Sequence, residues 1–138
     1  MAATNRYHPL LLWLFTSLFA LRVIGQAVQR WSPQPWLPGF GAFQGSSLPY
    51  WFLLATQLVI LTLMAYFALR LETRSERASR ILFWLGGIYM LGSLARIGVG
   101  LAIADAPPWF RAWIPSVFHV ILAAYVLTLA DYHHRRPR

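Results

Sequence analysis

Two arginines interrupt stretches of the sequence that are otherwise apolar enough to cross a membrane. Arg22 lies within residues 9–30, and Arg96 lies within residues 81–104. An arginine at membrane depth is costly unless it reaches the interface or finds a partner, so its presence marks a candidate functional site. No acidic residue lies in the interior of any apolar stretch. The counter-charge must therefore come from a residue at a helix end, a bound anionic ligand or lipid, or another chain.

Polar residues at matching depths predict a single layer within the membrane. From the rise of an α-helix, Arg22, Gln57 and Arg96 lie roughly 12 Å from the same end of their helices, and His119 lies roughly 9 Å from it. Gln26 follows Arg22 by one helical turn and shares its face. We predict that these five residues form a ligand-binding layer. A guanidinium there would hold a carboxylate or phosphate through paired hydrogen bonds.

His119 is open to several roles. It is a candidate general base, a candidate hydrogen-bond donor to a quinone and a candidate axial ligand for a haem or chlorin pigment. A lone histidine on a face of small residues is more often an ordinary interhelical contact, and a bis-histidine haem needs a second intramembrane histidine, which the apolar stretches lack. We assign no catalytic residue and no metal site, because the sequence has no cysteine, HExxH motif, carboxylate pair or Gly-rich phosphate loop.

The two arginines also have a structural interpretation. They would reach lipid phosphates or donate to loop carbonyls, and so close the Pro-rich loops over the helices. Asp105 is the one acidic residue expected on that side, and its position favours pairing with Arg22 or Arg111 over Arg96. At least one arginine would then remain for an exogenous anion. The Gly-rich residues 40–47 are a candidate cap on the bundle.

The third apolar stretch is rich in glycine. Small residues let membrane helices approach one another closely. We expect this helix to pack against its neighbours through its glycines and to direct Arg96 toward protein and away from lipid. The residues concerned are Gly86, Gly87, Gly92, Gly98 and Gly100.

The composition places the chain among membrane proteins. Its 138 residues are 58% hydrophobic, 16% aromatic and only 12% charged, outside the usual range of soluble domains. The net charge of +8 comes from twelve arginines, of which most lie in loops and tails, so we predict no nucleic-acid partner. A single membrane domain spanning residues 1–138 is expected.

Four apolar stretches predict an all-α integral membrane protein, a bundle of four transmembrane helices. Each stretch reaches the roughly 20 residues that a membrane helix needs. We place helices at residues 9–30, 49–71, 81–104 and 113–131, with connections at 31–48, 72–80 and 105–112. Arg6 before the first apolar stretch, together with Gly25-Gln26-Ala27, also resembles a signal peptide with its cleavage site, although we expect an uncleaved anchoring helix.

The distribution of arginine predicts the orientation, because cytoplasmic loops carry the excess of positive charge. With both termini in the cytoplasm, the outer side holds only Arg30 and Arg111. The inner side then holds Arg6, Arg70, Arg74, Arg77, Arg80, Arg135, Arg136 and Arg138. We therefore expect both termini inside, in a bacterial inner membrane, with the polar layer in the outer leaflet.

The two halves of the chain share a pattern. Residues 22–27 and 96–102 each place small and apolar residues after an arginine, and each is followed by a loop rich in Trp and Pro. Two parallel helical-hairpin repeats are one interpretation, and chance similarity between apolar helices is the other.

These features favour a non-catalytic subunit of a larger membrane complex, of the electron-transfer or photosynthetic kind. Its polar layer would bind a lipid, quinone, chlorin pigment or partner segment, and its partners would be membrane lipids and other membrane subunits. Two alternatives stay open. One is a small membrane enzyme acting on a quinone or lipid head group, and the other is an oligomeric anion channel or carrier.

Overall fold

The computed structural model describes residues 6–44, 47–71 and 76–135, and it is helical with short connections. Four of its helices are long and apolar enough to cross a membrane. This confirms the prediction of an all-helical chain with four potential spans. In chain order the helices are α1 Tyr7–Trp31, α2 Phe40–Gln44, α3 Tyr50–Leu69, α4 Glu76–Ala102, α5 Pro108–Arg111 and α6 Trp113–Arg135.

Prolines set the beginnings of the helices at one end of the bundle. Pro49 precedes α3, and Pro107 precedes α5, whose first residue is Pro108. Proline suits these positions because its backbone angle is already helical and its missing N–H would have no partner in the first turn. The loops rich in Pro therefore end where α3 and α5 begin.

The helices α4 and α6 extend beyond the predicted apolar stretches at their polar ends, whereas α3 ends at Leu69, before the predicted residue 71. α4 begins at Glu76, inside the segment 72–80 that we expected to be a loop, and α6 continues past residue 131 to Arg135. An ion pair of 2.8 Å between Asp131 and Arg135, one turn apart, supports the last turn of α6. The length of the apolar stretch alone therefore underestimates the length of a helix whose ends are polar. Other residues of the predicted loops and tails lie outside the described residues, namely 1–5, 45–46, 72–75 and 136–138.

The long helices pack side by side in the order α3, α1, α6, α4. α1 contacts both α3 and α6, while α4 packs extensively on α6. The two outer helices, α3 and α4, therefore flank the α1–α6 pair. The core that joins the first three of these helices consists of Leu12, Phe19, Val23, Met64, Ala68, Tyr125 and Leu129.

Polar contacts join the helices at the end of the bundle that carries the first and last described residues, here called the terminal end. His8 Nε2 on α1 lies 2.8 Å from Asp131 Oδ2 on α6. Tyr125 on α6 donates its hydroxyl to the Met64 carbonyl on α3 over 2.6 Å. The opposite end, which carries α2 and α5, is here called the loop-helix end. α2 contacts α1 and α6, and α5 contacts α4.

We expect Asp131→Ala to lower the free energy of unfolding by about 1 kcal/mol, the scale of interhelical hydrogen bonds in membrane proteins. The mostly buried His8 side chain would lose its partner on α6. Arg135→Gln is the control, because it removes only the exposed pair within α6. It should leave stability unchanged. Equilibrium unfolding in mixed detergent micelles measures both variants, and equal effects would contradict an interhelical role for Asp131.

Only two of the α4 glycines mark close packing. A Cβ at Gly86 would lie 3.0 Å from the Leu127 side chain on α6, and a Cβ at Gly100 would overlap the backbone carbonyl of Phe110 on α5. Nothing lies within 4 Å of a Cβ at the other three α4 glycines. The expectation that all five glycines pack against neighbours was therefore wrong for Gly87, Gly92 and Gly98. Among the described helices, α4 packs extensively on α5 and α6 alone, so much of its surface is free of extensive contact with the others.

Candidate functional site

Four of the five residues of the predicted polar layer line one cavity near the loop-helix end. The cavity has a volume of about 250 Å³ and is lined by residues of all four long helices. Arg22 comes from α1, Gln57 from α3, Arg96 from α4 and His119 from α6. Equal depths on neighbouring helices bring these side chains to one level. Its remaining lining residues are Phe19, Gln44, Leu48, Leu53, Thr56, Ile60, Trp109, Pro115, Phe118 and Leu122.

Gln26, the fifth residue of the layer, lies behind the cavity wall and contacts Gln57. The Gln57 amide donates to Gln26 Oε1 over 3.1 Å, and both side chains are buried. Gln26 Nε2 and Gln57 Oε1 have no hydrogen-bond partner in the described structure. If both side-chain amides are flipped, so that oxygen and nitrogen exchange places, Gln26 donates to Gln57 instead. Each amide then still has one atom without a partner. Gln57 therefore lines the cavity and has an unpaired polar atom that is buried in the cavity wall.

Arg96 joins α4 to the short helix α5. Its Nε and Nη2 donate to the Trp109 carbonyl over 3.1 and 2.7 Å, and its guanidinium carbon lies 3.9 Å from the centroid of the Trp109 ring. Arg96 is only 6% exposed. These hydrogen bonds and the stacking hold α5 over the cavity, but a neutral carbonyl and an aromatic ring leave the positive charge uncompensated.

Arg22 makes a weaker contact of the same kind with α2. Its Nη2 donates to the Phe43 carbonyl over 3.1 Å, and its guanidinium carbon lies 5.5 Å from the centroid of the Phe118 ring. Its Nε is buried and has no described partner. α2 caps this part of the bundle, with Phe43 buried close to Gly25 of α1. Both arginines therefore donate to carbonyls of the loop helices, as the structural interpretation predicts. Both also line the cavity.

The expected pairing of Asp105 is not seen. Among the described residues, no ion pair joins Asp105 to Arg22 or to Arg111, and Asp105 is exposed beyond the end of α4. That expectation was wrong, and Arg22 donates instead to the Phe43 carbonyl of α2. Arg22 and Arg96 both lack a carboxylate partner within the described chain.

Tyr89 of α4 orients the imidazole of His119. The Tyr89 hydroxyl and His119 Nδ1 form a short hydrogen bond, and the two rings meet edge to face with centroids 5.7 Å apart. His119 Nε2 has no hydrogen-bond partner among the described residues. An imidazole fixed through one nitrogen leaves the other available to bind a ligand, to exchange a proton or to coordinate a pigment metal.

Sequence reasoning missed several residues of this site. Gln44, Thr56 and Trp109 line the cavity, and Tyr89 contacts His119. The sequence does place Tyr89 on the same face of α4 as Arg96, two helical turns earlier, but it does not indicate the contact with His119. Gln44 and Trp109 belong to loop helices, where the sequence has no periodic pattern that places a side chain.

The described residues include no group of three or more histidine, aspartate or glutamate side chains suited to a metal ion. The chain matches no protein-family model, no curated protein and no solved structure. The chemistry that the site itself offers is a pair of guanidinium groups, an oriented imidazole and an unpaired amide atom, set between apolar and aromatic walls.

Proposed function

We propose that the protein is a non-catalytic integral membrane subunit of a larger membrane complex, of the electron-transfer or photosynthetic kind. In this proposal both termini lie in the cytoplasm, the membrane is a bacterial inner membrane, and the cavity opens in the outer leaflet. The cavity holds a lipid, a quinone, a pigment or a segment of a partner. The observation that carries the proposal is the convergence of polar residues from four helices on one cavity that lacks a carboxylate.

The uncompensated charge favours a bound group. A buried charge without a partner is strongly destabilising, and hydrogen bonds to carbonyls offset only part of its lost hydration. Arg22 and Arg96 both line the cavity, so an anion held there would be attracted by both guanidiniums. The free nitrogen of His119 would bind a further polar atom of the same group.

The size of the cavity favours part of a ligand over a whole one. Its volume of about 250 Å³ lies below the range of roughly 300–1,000 Å³ that encloses a drug-sized molecule. A head group or a single ring fits within it, while a pigment macrocycle would extend beyond its walls. The rest of such a ligand would contact the membrane or a partner subunit.

Large apolar side chains on the outer helices support the subunit role. Residues such as Trp51 and Val59 of α3, and Trp84 and Leu91 of α4, are between 60 and 71% exposed. In a membrane these faces contact lipid or a second protein. The outer helices α3 and α4 therefore offer apolar surface on which a partner subunit can pack.

Purification of the tagged full chain from its native membranes in mild detergent tests the proposal. Native mass spectrometry and an absorption spectrum are recorded on the same fraction. A stoichiometric partner chain, or a ligand adduct that is lost in Arg22→Gln, is the expected result. A bare, colourless monomer that is stable without any adduct would contradict the proposal.

The Tyr89–His119 hydrogen bond favours a second candidate, a small membrane enzyme acting on a quinone or lipid head group. Arg22 and Arg96 would hold the anion, and His119 would exchange a proton through its free nitrogen. On this candidate His119→Ala removes turnover of the supplied quinone or lipid while thermal stability stays close to that of the wild type. If the wild type shows no turnover and His119→Ala lowers thermal stability, then His119 is an interhelical contact.

A further inference from the structure

Three exposed lining residues mark where the cavity opens. Leu48 is 46% exposed and Trp109 is 48% exposed, and Thr56 is also exposed. Leu48 lies just before α3, whereas Thr56 lies roughly 9 Å further along α3 than its first residue, from the helical rise. The mouth therefore extends from the loop-helix end down the side of the bundle, to a depth inside the expected hydrocarbon layer.

The packing of the helices leaves this side open. α3 packs on α1, and α4 packs on α6 and α5, with no extensive contact between α3 and α4. The cavity lies between these two outer helices, with the core residue Phe19 and the partly buried Phe118 in its wall. A molecule in the membrane can therefore reach the cavity sideways.

The polar groups at the site select for negative charge. A neutral quinone would accept hydrogen bonds from the guanidiniums but would leave two positive charges uncompensated in an apolar setting. A carboxylate or phosphate compensates the charge of a guanidinium and accepts hydrogen bonds from the N–H groups that the Trp109 and Phe43 carbonyls leave unused. A small soluble anion would gain nothing from the apolar mouth, while an amphiphile would keep its chain in contact with lipid.

We infer that the cavity binds the carboxylate or phosphate head group of one membrane amphiphile, which enters sideways past Thr56 and leaves its apolar chain between α3 and α4. This inference rests on the proposed function and names the ligand class. Phe52 and Val59 lie on exposed parts of α3 near Thr56 and provide apolar surface for the chain.

Binding is tested on the full chain in phosphatidylcholine nanodiscs. The probes, added singly, are oleate, phosphatidate, decylubiquinone and inorganic phosphate, and the readouts are native mass spectra and thermal shift. Oleate or phosphatidate should bind with one adduct per chain. Arg22→Gln should weaken that binding about tenfold or more, the scale of one hydrogen bond to a charged group.

The entrance is tested with a matched pair of threonines on α3. Thr56 and Thr62 are both exposed, and each donates its hydroxyl to the carbonyl one turn earlier, over 2.9 and 2.8 Å respectively. Only Thr56 lines the cavity. Thr56→Trp should block the mouth and reduce amphiphile binding about tenfold, as expected from overfilling a fitted site. Thr62→Trp should bind like the wild type.

The possible results separate the inference from the proposed function. Equal binding of inorganic phosphate and oleate, both unaffected by Thr56→Trp, would overturn the inference. Preferred binding of decylubiquinone that survives Arg22→Gln would overturn it as well. In both cases the native purification could still show a bound ligand or partner, so the subunit role would stand. No binding of any probe, together with a bare native monomer, would reject both.

Discussion

Gly100→Val is expected to lower the free energy of unfolding by about 2 kcal/mol, the usual scale of an overpacked contact. A Cβ at Gly100 would overlap the backbone carbonyl oxygen of Phe110. A backbone atom cannot move aside as a flexible side chain does, so α5 would have to shift away from α4. The shift would also move Trp109, whose carbonyl accepts both hydrogen bonds from Arg96. We therefore expect Gly100→Val to weaken binding at the cavity as well.

Gly98→Val is the matched control. Gly98 lies on the same helix, is exposed and has nothing within 4 Å of the added Cβ. Equilibrium unfolding in mixed micelles should give a free energy close to that of the wild type for this variant. Similar losses in Gly98→Val and Gly100→Val would show that valine weakens α4 itself and would contradict a specific contact with α5.

The helices and the depth of the polar residues follow from local properties of the sequence. Apolar length predicts a membrane-crossing helix, and a fixed rise per residue converts a position such as Arg22 or Gln57 into a depth. Neighbouring helices of similar length then bring residues of equal depth to one level. For this reason the sequence indicates which side chains meet, even though it does not specify which helix lies beside which.

The partners of those side chains could not be predicted in the same way. Arg22 and Arg96 bind the carbonyls of Phe43 and Trp109, and every residue has a carbonyl, so the sequence carries no signal for the choice. The contact of His8 with Asp131 joins residues far apart in the chain. Gly98 and Gly100 are the same residue type two positions apart. Only the path of α5 leaves no room for a side chain at Gly100.

Replacing each arginine separately should distinguish its contribution to stability from its contribution to ligand binding. Arg96→Met loses two hydrogen bonds to the Trp109 carbonyl and the stacking on its ring. It should lower the free energy of unfolding by about 2 kcal/mol, because hydrogen bonds from charged groups are the stronger ones. Arg22→Met loses one bond of 3.1 Å but also removes a buried Nε that has no described partner. Its net effect should stay within about 1 kcal/mol, since these changes oppose each other.

Anion binding should respond differently from stability. Both arginines line the cavity, so each methionine variant removes half of the positive charge that faces the ligand. Oleate or phosphatidate binding should therefore fall about tenfold or more in both variants. Arg22→Met is the informative one, because it separates lost binding from lost folding. If Arg22→Met retains full binding while Arg96→Met loses both stability and binding, then Arg22 serves only to hold α2, and the ligand contacts Arg96 alone.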